Sequence, residues 1–335
     1  MIPVLLGITV IYFGIINAAP GGPIEQKIQQ LRFGGVGADG AAAAGQSGSG
    51  KENAISEEVI EALKKQYGFD KPWYVRYGIW LKNIGKLDFG ESFTYEEPAL
   101  DVVTSKFPVS MQFGIASLIL SYLICIPLGI LKAIKNGTAF DLVSSVSLSV
   151  MYAIPGFMLG IILIVFFAGG SFYEWFPVGE LYSDSYDELS MIDQILDRLH
   201  HFVLPLISYM ISSFTVLTLL MKNSLLEEIK KDYIRTARAK GLSERVVYLK
   251  HALRNALIPI ATGIGSFVGV FLAGSLLIET IFQLDGLGLL GYQSLLERDY
   301  NVLMCLMFIS SIVMLVGNLI SDICYVLVDP RIDFS

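Results

Sequence analysis

Six long apolar runs, at residues 2–19, 109–131, 142–168, 202–221, 258–282 and 302–328, constrain this chain more than any other feature. A hydrocarbon core about 30 Å thick takes roughly 20 helical residues to cross, and every backbone amide inside it must be paired within its own segment. Runs of this length and polarity are therefore expected to be six transmembrane helices in an all-α membrane protein. Composition agrees, since 53% hydrophobic and 16% charged residues, with a mean hydropathy of +0.59, are too poor in charge for an ordinary soluble surface. In such a chain charges are sorted by side of the membrane, so the net charge of -7 gives no reason to expect nucleic acid as a partner. Cys125, Cys305 and Cys324 all lie in apolar runs, without the spacing of a disulfide framework or a zinc site, and read as small buried apolar residues.

A cleaved signal peptide is the competing reading of residues 2–19, given the small residues Ala18 and Ala19. Against it stand the length of the run and the absence of a basic leader, an absence that fits a natural start lying upstream. Residues 20–108 then form a long loop, within which 34–50 is a Gly/Ala-rich flexible insert. Gly45 to Lys51 has the spacing of a phosphate-binding loop, but Glu52 stands where the magnesium-binding Ser or Thr is required and no strand precedes it. Nucleotide binding is not expected there, and this chain is not expected to hydrolyse ATP. Val59, Ile60, Leu63 and Tyr67, then residues 73–81, suggest two short interfacial helices, with Trp73, Tyr74, Tyr77 and Trp80 at headgroup level.

The short loops set the orientation. Lys132 and Lys135 follow the second run, nine Lys and Arg residues from Lys222 to Arg254 follow the fourth, and the loop after the third is acidic, from Glu174 to Asp197. The positive-inside rule places both termini and the basic loops in the cytoplasm and residues 20–108 outside. Within the runs, Pro127 and Pro155 are expected to kink their helices, and the Gly265/Gly269 pair to permit close helix packing. Glu279 falls near the outer end of its helix and reads as an interfacial carboxylate in reach of water. Asp322 and Asn318 are expected to pair with basic loop residues. Residues 286–291 spell a dinucleotide-type glycine pattern but follow a membrane helix rather than a strand, so they read as a re-entrant turn or gate loop. His200, His201 and His251 have no nucleophile beside them. No catalytic, cofactor-binding or metal-binding residue is assigned.

Residues 232–259 hold the densest positive charge. They read as helix, glycine, helix: a first helix over 225–240, Gly241 in the left-handed position after it, and Ser243 as the cap of a second helix opening on Glu244. Ala237, Ala239 and Gly241 leave a flat patch that suits a docking knob, while the same charges also suit a solvated loop that fixes topology.

The run Tyr233-Ile234-Arg235-Thr236-Ala237-Arg238-Ala239-Lys240-Gly241-Leu242-Ser243, followed by His251-x-x-Arg254-Asn255-Ala256-Leu257-x-Pro259, resembles the cytoplasmic EAA-type signature of ABC importer permeases. The form is that of the dipeptide and oligopeptide subfamily, in which Arg-Thr-Ala replaces the Glu of the motif. The turn at 19–23, the stretches 67–72 and 88–92, Glu279-Thr280-x-Phe282, Gly286-Leu287-Gly288, Arg298-Asp299-Tyr300 and Asp329-Pro330-Arg331 are similar to the family's loops and tail, except that Asp285 stands where Pro is common. The Gly/Ala insert, residues 166–171 and residues 329–334 look most like the Yej-type branch, which imports oligopeptides and microcin C. The resemblance implies a type I ABC importer permease fold in a bacterial inner membrane, with residues 1–19 as the first helix, 20–108 as an external loop and 109–335 as a permease core with a coupling segment at 222–257. It implies a second permease subunit forming a heterodimer, two cytoplasmic ABC ATPases that bind the ATP, an external substrate-binding protein, a peptide substrate and surrounding lipid. ATPase coupling falls on Tyr233, Thr236, Ala237, Ala239, Lys240, Gly241, Leu242, Ser243, Arg245, His251, Arg254 and Asn255. A gate or turn role falls on Glu279, Gly286, Gly288, Arg298 and Asp299. The alternative is a secondary transporter or channel, against which stands the lack of evident inverted repeats or buried ionisable relays.

Overall fold

The computed structural model describes residues 2–18, 71–264 and 274–328, which are helical apart from turns and an isolated bridge between Glu91 and Pro98. The helices are α1 (Ile2–Ala18), α2 (Trp73–Ile84), α3 (Ala99–Ile134), α4 (Ala139–Ala153), α5 (Gly156–Phe167), α6 (Met191–Ile229), α7 (Asp232–Ala239), α8 (Glu244–Val246), α9 (Leu253–Ala256), α10 (Leu276–Ile281), α11 (Leu287–Leu296) and α12 (Tyr300–Val328). The Gly/Ala insert, the helix expected at 59–67, the Gly265/Gly269 pair and the tail motif lie outside the described residues.

Among the described helices, α3 and α12 are each long and apolar enough to cross a membrane, and α1 is a shorter apolar helix. α3 runs for 36 residues through Pro108 and Pro127 without ending, so Pro127 does not stop the second span. The third apolar run behaves differently. Pro155 has no N–H to donate and drives the residue before it out of the helical region. Ile154 sits at φ -93 and ψ 117, and α4 and α5 meet at 97°. The two halves of α6, Met191–Ile211 and Ser213–Ile229, are bent by 53°. The fifth expected span is described only at its ends, 258–264 and α10.

Two compact units divide the chain: Met1–Ser105 with Gly291–Ile309, and Lys106–Leu290 with Ser310–Ser335. In the first, α2 packs on α1 through an edge contact of Phe13 with Tyr77 at 5.4 Å and a hydroxyl pair, Thr9 to Tyr77, at 3.0 Å. Trp73 and Tyr74 stay exposed on α2. Two apolar cores are seen among the described residues of the second unit. Phe113, Leu204, Tyr209, Ile278, Phe282 and Leu284 form one of them, with Phe113 stacked on Phe202 at 4.1 Å. The other joins Cys125 and Ala133 of α3, Leu217, Met221 and Leu225 of α6, and Ile234, Ala237, Val247, Ala252, Ala256 and Ile260 beyond it. Local hydrogen bonds finish the loop before α6, where His201 Nδ1 lies 2.8 Å from the Gly179 carbonyl and Asp197 accepts from the Ser183 amide at 2.9 Å.

Two charges and one amide sit differently from expectation. Lys132, which the loop charges placed at an aqueous face, is fully buried beside Asp141 at 3.2 Å. Asp322 and Asn318 are exposed, and Asp322 forms no ion pair among the described residues.

Candidate functional site

The basic segment after α6 is built in three steps. The helix expected over 225–240 is broken, because α6 ends at Ile229 and α7 begins at Asp232 after an extended Lys231. α7 buries Ile234 and Ala237, one turn apart, in the apolar core with Met221 and Leu225, and leaves its other side to solvent. Gly241 then takes φ +79, a conformation that a side chain makes costly. The Gly241 amide donates to Arg238 at 2.9 Å and the Leu242 amide to Ala237 at 3.5 Å, the paired bonds that close a helix on a left-handed residue.

Across the turn, Arg238 grips Glu244 with Nε to Oε1 at 2.9 Å and Nη2 to Oε2 at 3.2 Å, and its guanidinium lies 5.7 Å from the Tyr248 ring centroid. The Arg238 guanidinium, with the Tyr248 hydroxyl behind it, holds the Glu244 carboxyl below the usual carboxylate range. Ser243 occupies the cap position of α8, yet its hydroxyl makes no capping bond. After α8 the chain winds into a π-helical stretch, Val247–Ala252. Its wider i to i+5 repeat puts Val247 and Ala252, five residues apart, into the same core, which an ordinary helical spacing would not do.

The signature residues thus divide by environment. Ala237, expected in a flat docking patch, is only 7% exposed and faces the core. Tyr233 and Asn255 brace the segment: Asn255 Nδ2 donates to the Tyr233 hydroxyl at 3.0 Å, and that hydroxyl donates to Glu228. Burial first, then Glu228, push the Tyr233 phenol up to about 12, so it remains a donor at neutral pH. Thr236, Ala239, Lys240, Gly241, Leu242, Ser243 and Arg245 are exposed around the turn, as is Arg254, while His251 is half-buried.

Glu279 overturns the interfacial reading outright, being 0% exposed. Its Oε1 accepts from Ser110 Oγ at 2.8 Å, the Tyr209 hydroxyl at 3.2 Å and the Ser275 amide at 3.2 Å, and its Oε2 from the Leu289 amide at 2.8 Å. Ser110 Oγ in turn accepts from the Leu287 amide at 2.8 Å. The carboxylate therefore gathers α3, α6, α10 and the start of α11 around itself. Gly286 and Gly288 permit this, since a Cβ would come within 2.6 Å of the Glu279 carboxyl at the first and 2.5 Å of the Leu276 amide at the second. Beside it, Lys106 pairs with Asp285.

In the other unit Asp299 does similar work. Its Oδ1 caps α12 by accepting from Val302 N at 3.3 Å, and its Oδ2 accepts from the Phe93 and Thr94 amides at 2.9 and 3.2 Å and from the Ser92 hydroxyl. Two stretches singled out separately in the sequence, 88–92 and 298–300, are thereby joined, with Asn301 Nδ2 donating to Glu91 at 2.7 Å. Arg298 precedes the cap at φ 56. Asp299→Ala removes the cap and strands the loop amides, and is expected to cost about 2–4 kcal/mol of stability. Thermal unfolding in detergent checks this, and a melting temperature equal to that of the unsubstituted protein would contradict it.

The sequence family described as "Binding-protein-dependent transport system inner membrane component" matches residues 125–334. The chain is similar to the peptidoglycan transport system permease protein YejB of Agrobacterium fabrum, at 46% identity over 100% of this chain and 96% of that one. It is also similar to the inner membrane ABC transporter permease protein YejB of Escherichia coli O157:H7, at 43% identity over 100% and 96%. The oligopeptide transport system permease protein AppB of Bacillus subtilis matches at 35% identity over 99% and 96%.

Proposed function

The chain belongs to the family of binding-protein-dependent transport system inner membrane components, and from that membership we propose that it carries peptides through an ATP-driven importer. It is a permease subunit, a transport component rather than an enzyme. Relatives named for oligopeptide and peptidoglycan transport support a peptide-class cargo, within which wall-derived peptides and peptide-like compounds such as microcin C fall. ATP is held by two cytoplasmic ABC ATPase subunits, an external binding protein delivers the cargo, and a second, non-identical permease completes the path. The basic residues between Lys222 and Arg254 support a cytoplasmic position for this segment and, with it, for both termini of an inner-membrane chain.

One observation carries the coupling role: the exposed turn from Ala239 to Arg245 is locked by the Gly241 closure and the Arg238–Glu244 grip, while its buried side shares a core with α6. A rigid knob of this kind passes a push into the membrane helices. It can drive a conformational change only if the ATPases bind it differently in their two states. Tyr233, Ala237 and Asn255 support the knob from behind, and Thr236, Lys240, Leu242, Ser243 and Arg245 present its surface, with Arg254 exposed and His251 half-buried on the helix behind it. Co-purification with the ATPase subunits, followed by tripeptide uptake into proteoliposomes with and without ATP, tests the assignment. ATP-dependent uptake is the expected result; uptake driven by an ion gradient with no ATPase present would identify a secondary transporter instead.

A further inference from the structure

One buried charge cluster involves neither the coupling turn nor the Glu279 site. Lys132 in the last turn of α3, Asp141 in the first turn of α4 and Lys222 of α6 meet as two ammonium groups around one carboxylate. Lys222 Nζ donates to both Asp141 oxygens, at 2.7 and 2.8 Å. Lys132 Nζ lies 3.2 Å from the same carboxylate and donates to the Asp141 carbonyl at 3.1 Å, Ser144 Oγ at 2.6 Å and Ser145 Oγ at 2.9 Å. The Gly137 amide donates to Asp141 at 3.2 Å, which ties the α3–α4 turn to the same point.

The place of the cluster gives it a role. Met221 and Leu225, either side of Lys222 on α6, are buried against Ile234, Ala237 and Val247 of the coupling segment. α3 enters that core through Cys125 and Ala133, and approaches α6 so closely that a Cβ on Gly129 would lie 2.6 Å from Met221 Cβ. Among the described residues, α4 contributes none of the side chains of this core, although its Leu148 is buried. Among the described residues its hydrogen bonds to α6 are the Lys222–Asp141 pair and Thr215 Oγ1 to the Leu148 carbonyl at 2.9 Å.

We infer that Lys222, Asp141 and Lys132 are positioning residues for transport, a polar strut through which the α3–α4 corner, and the bent α4–α5 pair beyond it, follow α6 when the coupling segment moves. This rests on the proposed ATP-driven function. An ion pair suits the task better than apolar contact, because two ammonium groups aimed at one carboxylate fix direction as well as distance, whereas apolar packing is non-directional.

The charge count selects the variant. Asp141→Asn would leave two buried cations without an anion and is expected to impair folding, so it does not separate strut from scaffold. Lys222→Met leaves the Lys132–Asp141 pair balanced, keeps the shape of the side chain and cuts only the ion-pair link to α6, with the Thr215–Leu148 bond still in place. In the complete importer in proteoliposomes, Lys222→Met is expected to keep ATP hydrolysis within about 2-fold while tripeptide imported per ATP falls by about 10-fold or more, and Lys222→Arg is expected to restore most of it. Lys132→Met, which cuts α3 from the strut and leaves Lys222–Asp141 intact, is expected to uncouple likewise. Unchanged import per ATP in Lys222→Met, or hydrolysis and import falling in proportion with no rescue by Lys222→Arg, would overturn the strut. Neither result touches the importer assignment as long as the unsubstituted complex imports with ATP; failure there would remove the assignment itself.

Discussion

Glu279→Ala is expected to be the most destabilising single substitution among the buried polar residues described, on the order of 4–6 kcal/mol. The carboxylate accepts four hydrogen bonds in a site with no exposure, from Ser110, Tyr209, Ser275 and Leu289. Alanine would leave those donors unpaired, at about 1–3 kcal/mol for each that finds no substitute, and open a void between α3, α6 and α10. Glu279→Gln separates charge from shape. Its amide nitrogen must face either the Leu289 amide or the three donors around the other oxygen, so one donor always meets another donor. Glutamine is therefore expected to cost about 1–3 kcal/mol, well short of alanine. Thermal unfolding in detergent gives the ranking, and limited proteolysis of residues 282–289 reports whether the loop has come free. If alanine and glutamine melt together with the unsubstituted protein, the carboxylate does not hold the loop.

Glu279 also shows where sequence reading stops. The apolar runs were legible because backbone pairing in a membrane is a local demand. α3 and α12 cover the runs at 109–131 and 302–328, and α2 starts at the expected Trp73. Pro155 was legible for the same reason, since its effect falls on the residue before it. The partners of Glu279 are not local: Ser110 is 169 residues away in the chain and Tyr209 is 70. Counting rise per residue along one helix set Glu279 at a wet end; only the fold of the loop over it removes the water. Lys132 misled in the same way, because a basic residue after an apolar run suggests a surface, whereas Asp141 and two serines wait for it at the start of the next helix. Gly241 was read correctly from chemistry that needs no distant partner, the left-handed closure of a helix. Ala237 was not, because small size alone does not say which side of a helix meets the core; its spacing of three from Ile234 was the available signal.

The direction of Ala237 decides how the coupling role must be tested. Ala237→Glu would abolish uptake in either case, since it forces a carboxylate into an apolar core where the side chain is 7% exposed, at a cost of several kcal/mol. Its failure would say nothing about docking. Gly241→Pro acts on the turn itself: proline fixes φ near -65° against the observed +79 and removes the amide that donates to Arg238, so the knob loses its shape. Leu242→Asp is the cleaner probe, because Leu242 is 39% exposed, directly follows Gly241 and belongs to neither apolar core. It is expected to melt within a few degrees of the unsubstituted protein, while ATP-driven tripeptide uptake falls by about 10-fold or more, since a docked ATPase would have to desolvate the new carboxylate. Gly241→Pro is expected to abolish uptake with the membrane helices still in place. Normal uptake by Leu242→Asp would remove the exposed turn from the ATPase contact, however inactive Ala237→Glu proved, and would leave the basic residues of this segment with orientation as their task.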